Sequence, residues 1–278
     1  MHTFRQIDWN RAWLADSNSQ QRGRDRAFWD RRAPSFAAHV QGEEGDEYAD
    51  AFLGIMNPYP AWSVLDVGSG PGTLACPLAR RVRRVTALDF SPVMIGILNE
   101  RKSQATLGNL TGIVGRWEDD WKTLGIEVHD AAIASRSMGG DDPRAALVKL
   151  MEFARQRVYI TCAVGAGPHD PRILAAVGRP AHTNPDYIYI YNLLYQMGIA
   201  ANVQQIYRRR STFANEEEAV DSVRWMIENI TPSEEKALRR FVSAELLQDG
   251  ERWRLKGERL VHWALISWET AGWRERNT

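Results

Sequence analysis

Residues 64–73 read VLDVGSGPGT, and their chemistry lies in one acid and three glycines: Asp66, Gly68, Gly70 and Gly72. Glycines at alternate positions let the backbone turn sharply and come close to a ligand. A dinucleotide site favours G-x-G-x-x-G, with the pyrophosphate at a helix N-terminus. Here the spacing is G-x-G-x-G, and Thr73 stands in the place of the third glycine. Asp66, two residues ahead of Gly68, would repel a pyrophosphate and attract a cation. A second acid, Asp89, follows Gly72 by 17 residues at the end of the next apolar run. A carboxylate there can accept from both hydroxyls of a ribose. Capping the next helix is the plainer use for Asp89, but Ser91 already fits that role. The pattern asks for a ligand that carries positive charge and a ribose but no phosphate.

Strands alternating with helices must position these groups. AWSVLDV (61–67) reads as a buried strand, and a helix follows with Leu74, Leu78 and Val82 at four-residue spacing. RVTALD (84–89) is the second strand. Ser91-Pro92 then caps a helix whose apolar face is Val93, Met94, Ile97 and Leu98. LTGIVG (110–115) and DAAIAS (130–135) are strands three and four. Asp141-Asp142-Pro143 opens a helix that buries Leu147, Leu150, Met151 and Ala154, and RVYITCAV (157–164) is strand five. This rhythm predicts a parallel sheet covered on both faces, with all five strand C-termini at one edge, where ligands bind. After a Gly/Pro/His segment (165–185) come a helix DYIYIYNLLYQMG, a strand NVQQIYRRRSTF and two helices. Asn215 caps the first of these; a Thr231–Glu234 capping box opens the second. RLVHWALISWE (259–269) reads as the last strand, and residues 1–58 are helical in pattern.

VLDVGSGPGTLACPLA, with VTALDFSPVMI after it, closely resembles the first two motifs of class I S-adenosylmethionine (SAM)-dependent methyltransferases. The likeness is greatest to the branch that modifies small molecules such as quinone precursors, and it covers roughly residues 45–165. SAM carries an ammonium and a sulfonium and no phosphate, which meets the charge pattern of Asp66 and Asp89. The resemblance implies an α/β fold: a Rossmann-like, seven-stranded, mostly parallel sheet with helices on both faces. N-terminal helices and a C-terminal helical insertion would form a cap. SAM would be the cofactor and S-adenosylhomocysteine the product. Asp66, Gly68 and Gly70 would line the methionine end and Asp89 would hold the ribose, with Ser69, Thr73, Phe90 and Met94 as further cofactor-binding residues. Adenine would lie against Gly115-Arg116-Trp117-Glu118-Asp119, where Arg116 replaces the family's usual aspartate. Trp117 would either pack on the adenine face or serve ordinary packing, and Glu118 or Asp119 would accept from the adenine amino group. Ser135-Arg136-Ser137-Met138 would line the sulfonium and the acceptor entrance. FWDRRAPSFA (28–37) resembles a segment that folds over bound SAM, with Trp29, Arg32 and Phe36 as lid residues. An amphipathic helix that only covers the sheet is the alternative.

Methyl transfer from a sulfonium works by positioning and desolvation, so a base is needed only if the acceptor must lose a proton. Candidates are His169, His182 and the tyrosines at 187, 191 and 195, which share one helix face and can equally be packing residues. NPYP (57–60) precedes the first strand and reads as a turn. Asp141, Asp142, His169 and Asp170 read as helix caps and loop residues rather than metal ligands. Arg208-Arg209-Arg210 would either bind an anionic acceptor or protect an edge strand.

The 278 residues carry 35 acidic and 35 basic side chains, a balance that argues against a polyanion as main partner. Cys76 and Cys162 read as buried thiols. No segment has the length and apolarity of a membrane span, and the expected location is cytoplasmic, as monomer or homodimer. The expected division is an N-terminal helical lid (1–58), a SAM-binding core (59–165) and an acceptor-side region with the last strands (166–278). The expected activity is methyl transfer to a small molecule, aromatic or carboxylate-bearing. A nucleic-acid or protein methyltransferase and a non-catalytic SAM-binding subunit are the rival readings.

Overall fold

The computed structural model describes residues 6–18, 25–40, 43–138, 142–165, 167, 169–180, 185–207, 212–257 and 262–277; Asp141, His182 and Arg208–Arg210 lie outside them. Three helices come first: α1 (Trp9–Asn18), α2 (Arg26–Val40) and α3 (Glu43–Met56). The NPYP turn follows, with Asn57 at φ 43° and Trp62 N donating to Tyr59 O at 2.9 Å. Strands and helices then alternate: β1 (Ser63–Val67), α4 (Ala75–Ala79), β2 (Arg84–Asp89), α5 (Pro92–Gln104), β3 (Leu110–Val114), β4 (His129–Ser135), α6 (Pro143–Phe153) and β5 (Ala154–Ala163). The chain continues through α7 (Pro171–Ala176), α8 (Tyr187–Gln196), β6 (Asn202–Tyr207), α9 (Glu216–Arg224) and α10 (Pro232–Glu245). It ends with β7 (Leu246–Asp249), β8 (Arg252–Leu255), β9 (His262–Glu269) and α11 (Ala271–Asn277).

The main sheet has the order β3-β2-β1-β4-β5-β9-β6. β1 to β5 are parallel, and β9 runs antiparallel between β5 and β6. This is the expected seven-stranded, mostly parallel sheet. β1 is buried along its whole length, as a strand covered on both faces must be. Its side chains alternate between two interiors. Val64 joins Phe52, Leu78 and Leu98 beneath α3, α4 and α5, while Leu65 and Val67 join Trp13, Leu147 and Leu193 beneath α1, α6 and α8. Alternation therefore puts Asp66 on the α4 side.

β1 has β2 on one side and β4 on the other, so the strand order reverses there and a crevice opens at the strand C-termini. Register fixes what reaches that edge. Val67 pairs with Leu88, just before Asp89, and Asp66 pairs with Ile133, two residues before Ser135. A third interior, Ile173, Leu174, Val220, Val223, Leu238 and Val242, joins α7, α9 and α10.

Caps fall where the sequence puts them: Ser91 on α5, Asp142 on α6, Asn215 on α9, and the Thr231–Glu234 box on α10. Cys76 and Cys162 are buried thiols. Val93, expected on the apolar face of α5, is instead exposed. Met94, Ile95 and Leu98 form that face, because the cap and Pro92 start the helix in a phase that turns Val93 outward. Ala154 belongs to β5 rather than to α6, and Val82 is buried beyond the end of α4. The β7–β8 hairpin is an addition to the expected elements. Its two-residue turn is Gly250-Glu251, with Gly250 at φ 62°.

His129, at the start of β4, is buried, with Nε2 2.8 Å from Thr86 Oγ1 and Nδ1 2.6 Å from Glu127 O. Burial pushes its pKa down from 6.5 to about 4. The unfolded ring thus takes up a proton that the folded ring refuses, and stability is lost as pH falls through that window. His129→Gln removes this contribution. Urea midpoints measured at about pH 7 and about pH 4.5 should fall less between the two for the variant than for the parent; an equal fall would refute the assignment.

Candidate functional site

A cavity of about 470 Å³ opens at the C-terminal edge of β1, β2 and β4. Its floor is Asp66 with the turn after β1, through Gly68, Ser69, Gly70 and Thr73. β2 contributes Asp89, followed by Phe90 and by Met94 of α5. The segment after β3 contributes Arg116, Trp117 and Glu118, and the end of β4 contributes Ser135, Arg136, Ser137 and Met138. Trp29 and Phe36 of α2 close it from above. Residues separated by more than a hundred positions in the chain therefore share one cavity. Asp25, Arg26, Val67, Leu74 and Leu88 also line it and were not expected; Asp25 could have been noticed as the α2 cap, since its Oδ1 accepts from Phe28 N at 2.8 Å.

The glycine turn is shaped by close approach. A Cβ on Gly68, at φ 69°, would lie 2.3 Å from Ser137 Cβ, and Ser137 Oγ itself donates to Val67 O at 2.6 Å. A Cβ on Gly70, at φ 54°, would come 3.8 Å from Phe36 Cε1, so α2 rests on this point of the turn. Beneath the turn, Asp66 is 1% exposed and its Oδ2 has no hydrogen-bond partner; Ser69 Oγ is likewise buried without one. Burial, and then the charge of Asp89, push the Asp66 pKa up to about 7, while the Ala75 backbone N–H works against the rise. Asp89 is not left free by the Ser91 cap. Its Oδ1 accepts from Ser91 N at 2.9 Å and its Oδ2 from Gly70 N at 2.8 Å, which clamps the turn to β2 and leaves each oxygen a second lone pair. Burial raises its pKa, and those two N–H donors hold it down.

Helix α2 is tied to the same place. Ser91 Oγ donates to Asp30 Oδ1 at 2.5 Å while accepting from Met94 N. Arg32, expected in the lid, points elsewhere: it donates to Trp225 O and lies over the Trp225 ring at 5.3 Å. After β3, Trp117 Nε1 donates to Ser137 O, and Lys149 donates to the carbonyls of Trp117 and Asp119. Asp119 Oδ2 turns back to Arg116 N, so of the two acids at this position only Glu118 lines the cavity.

After β4, Arg136 is left-handed at φ 55°, a conformation that costs a non-glycine residue about 1 kcal/mol or more. Its N–H bonds both Thr161 Oγ1 (2.9 Å) and Thr161 O (3.2 Å). Tyr48 Oη, from α3, lies 2.7 Å from Ser135 Oγ and 2.9 Å from Thr161 Oγ1.

His169, Tyr187 and Tyr191 do not line the cavity. His169 is buried against Trp225, Tyr187 and Tyr191 pack on the interior beneath α8, and Tyr195 is exposed. Among the described residues, the region from 167 onward contributes no lining side chain, and Trp263 lies behind the lining residue Arg136, 5.6 Å from its guanidinium. Asp142 and Asp170 cap α6 and α7, and no group of residues that could hold a metal occurs among the described residues. No helix among them is long and apolar enough to cross a membrane.

The methyltransferase-domain family matches residues 64–155. A Haemophilus influenzae protein described only as uncharacterized is 33% identical over 246 residues, which is 86% of this chain and 88% of that one. The chain carries a methyltransferase domain. A Bacillus halodurans protein assigned to the methyltransferases has the same fold, with TM-score 0.56 and 14% identity over 80% of this chain and 98% of that one. The MccD protein matches with TM-score 0.51 and 11% identity, over 80% and 96% of the two chains. The cavity suits SAM. Two orphaned buried oxygens, on Asp66 and Ser69, offer polar partners, and the floor is acidic where a phosphate-binding turn would be neutral or basic.

The raised Asp66 pKa has a definite sign. Without a ligand, folded Asp66 keeps a proton that the unfolded chain releases between 3.8 and about 7, so stability is lost as pH rises through that window. Asp66→Asn removes the loss. Urea unfolding without ligand should show the variant gaining on the parent by up to about 4 kcal/mol at alkaline pH, with no gain near pH 4. A gain that does not change with pH would contradict this origin.

Proposed function

We propose that the cavity holds SAM and that the enzyme passes its methyl group to a small-molecule acceptor, aromatic or carboxylate-bearing. The observation that carries this reading is the pair of buried acids at one crevice: Asp66 with an unpartnered oxygen under the glycine turn, and Asp89 clamped beside it. Asp66 supplies negative charge at the methionine end, with Gly68, Ser69, Gly70 and Thr73 giving close backbone approach. Asp89 accepts from the ribose through its remaining lone pairs, with Phe90 and Met94 against the sugar and base. Trp117 packs on adenine, and Glu118 accepts from the adenine amino group.

SAM supplies an electrophilic methyl on a sulfonium, whose in-line displacement leaves a neutral thioether. The chain contributes positioning and exclusion of water: Trp29 and Phe36 cover the site, and the Asp30–Ser91 bond keeps α2 over it. The acceptor enters past Ser135, Ser137 and Met138. In this division residues 1–58 act as the lid, 59–165 as the cofactor core, and 166–278 back the acceptor side through Trp263. The zero net charge supports a small acceptor over a nucleic acid.

Titration calorimetry with S-adenosylhomocysteine, which keeps the ammonium, tests the reading. Asp66→Asn and Asp89→Asn should each weaken binding about tenfold or more. Because a cation favours ionised Asp66, binding at about pH 6 should release a proton in the parent and not in Asp66→Asn. Unimpaired binding by both variants would defeat the proposal. For Trp117→Ala, an unchanged affinity would remove the stacking role alone.

A further inference from the structure

Arg136 was grouped with the cofactor residues, yet a guanidinium beside a sulfonium places like charges together. Its surroundings fit another task. The guanidinium lies 4.2 Å from the Tyr48 ring centroid and 5.6 Å from that of Trp263. It is exposed at the cavity and has neither a carboxylate within ion-pair distance nor a side-chain hydrogen bond among the described residues. Aromatic faces hold a cation without using its N–H donors. All five of those donors remain for a ligand.

The arrangement is also built. A surface arginine that merely wanders needs no strained backbone, whereas Arg136 sits at φ 55° and its N–H is fixed by two bonds to Thr161. The Tyr48 platform is itself locked by the hydroxyls of Ser135 and Thr161. Other cations of the cavity do not compete for the same place. Arg26 pairs with Asp30, and Arg116 belongs to the segment after β3 rather than to the β4 end.

We infer that Arg136 is the acceptor-recognition residue and that it binds a carboxylate on the acceptor through its planar fork of donors. One guanidinium at the β4 end, in a cavity that also presents Asp25, Asp66, Asp89 and Glu118, matches one negative charge better than the two of a phosphate monoester. This rests on the reading of the cavity as the SAM site, because that reading places the β4 end beside the transferred methyl.

The test uses protein saturated with S-adenosylhomocysteine and a panel of aryl and alkyl carboxylates, each paired with its neutral amide. At least one carboxylate, 4-hydroxybenzoate being the first probe, should bind the parent about tenfold or more tightly than its amide. Arg136→Gln should erase that preference, and Arg136→Lys should keep part of it. Arg136→Gly relieves the left-handed strain, so it should keep the parent's melting temperature and still lose the preference. The inference is overturned if no carboxylate outbinds its amide, or if the preference survives in Arg136→Gln and Arg136→Gly. Failure of the parent to bind S-adenosylhomocysteine would instead defeat the cofactor reading, so the two failures are separable.

Discussion

Asp66 is held out of water at the end of a strand that is buried on both faces, and the structure around the site answers to that one carboxylate. Burial and the nearby Asp89 make its charge costly, so below about pH 7 the unliganded protein favours the neutral acid. A cationic ligand reverses the preference. The glycine turn is what lets such a ligand come near, since at Gly68 the backbone passes so close to Ser137 that no side chain fits. Asp89 then serves two masters: it fastens the turn through Gly70 N and the next helix through Ser91 N, and it keeps lone pairs in reserve.

From these two acids the mechanical links run outward. Ser91 caps α5 and also grips Asp30, so α2 is hinged to the strand end that carries Asp89. Phe36 rests over Gly70 and Trp29 stands edge-on to Phe36 at 6.1 Å. On the opposite wall, Lys149 of α6 holds the carbonyls of Trp117 and Asp119 and lies 4.4 Å from the Trp121 ring centroid. The wall that faces adenine in the proposed reading is thus braced from a helix that itself does not line the cavity.

Much of this was legible in the chain. Strand ends marked by acids, apolar runs of strand length, and Ser-Pro or Thr-Pro-Ser-Glu openings are local signals, and the strands, caps and cavity residues follow them closely. What escaped depends on long-range partners. Nothing near Tyr48 announces Thr161, which is 113 residues away, or that its ring will carry Arg136. Nothing near Arg32 announces Trp225. Asp89 has an alternative use in its own turn that the Ser91 cap does not displace, because the two side chains satisfy different backbone donors. The β7–β8 hairpin had a turn glycine, Gly250, in plain view, but its strands are only four residues each and lie outside the main sheet.

The cluster formed by α7, α9 and α10 shares no buried side chain with either interior of the sheet. Replacements within it are therefore decoupled, to a first approximation, from those that hold the strands in register. A large-to-small change at Leu238 or Val242 would thus loosen the α7–α9–α10 packing while the strand ends that carry Asp66 and Asp89 keep their places.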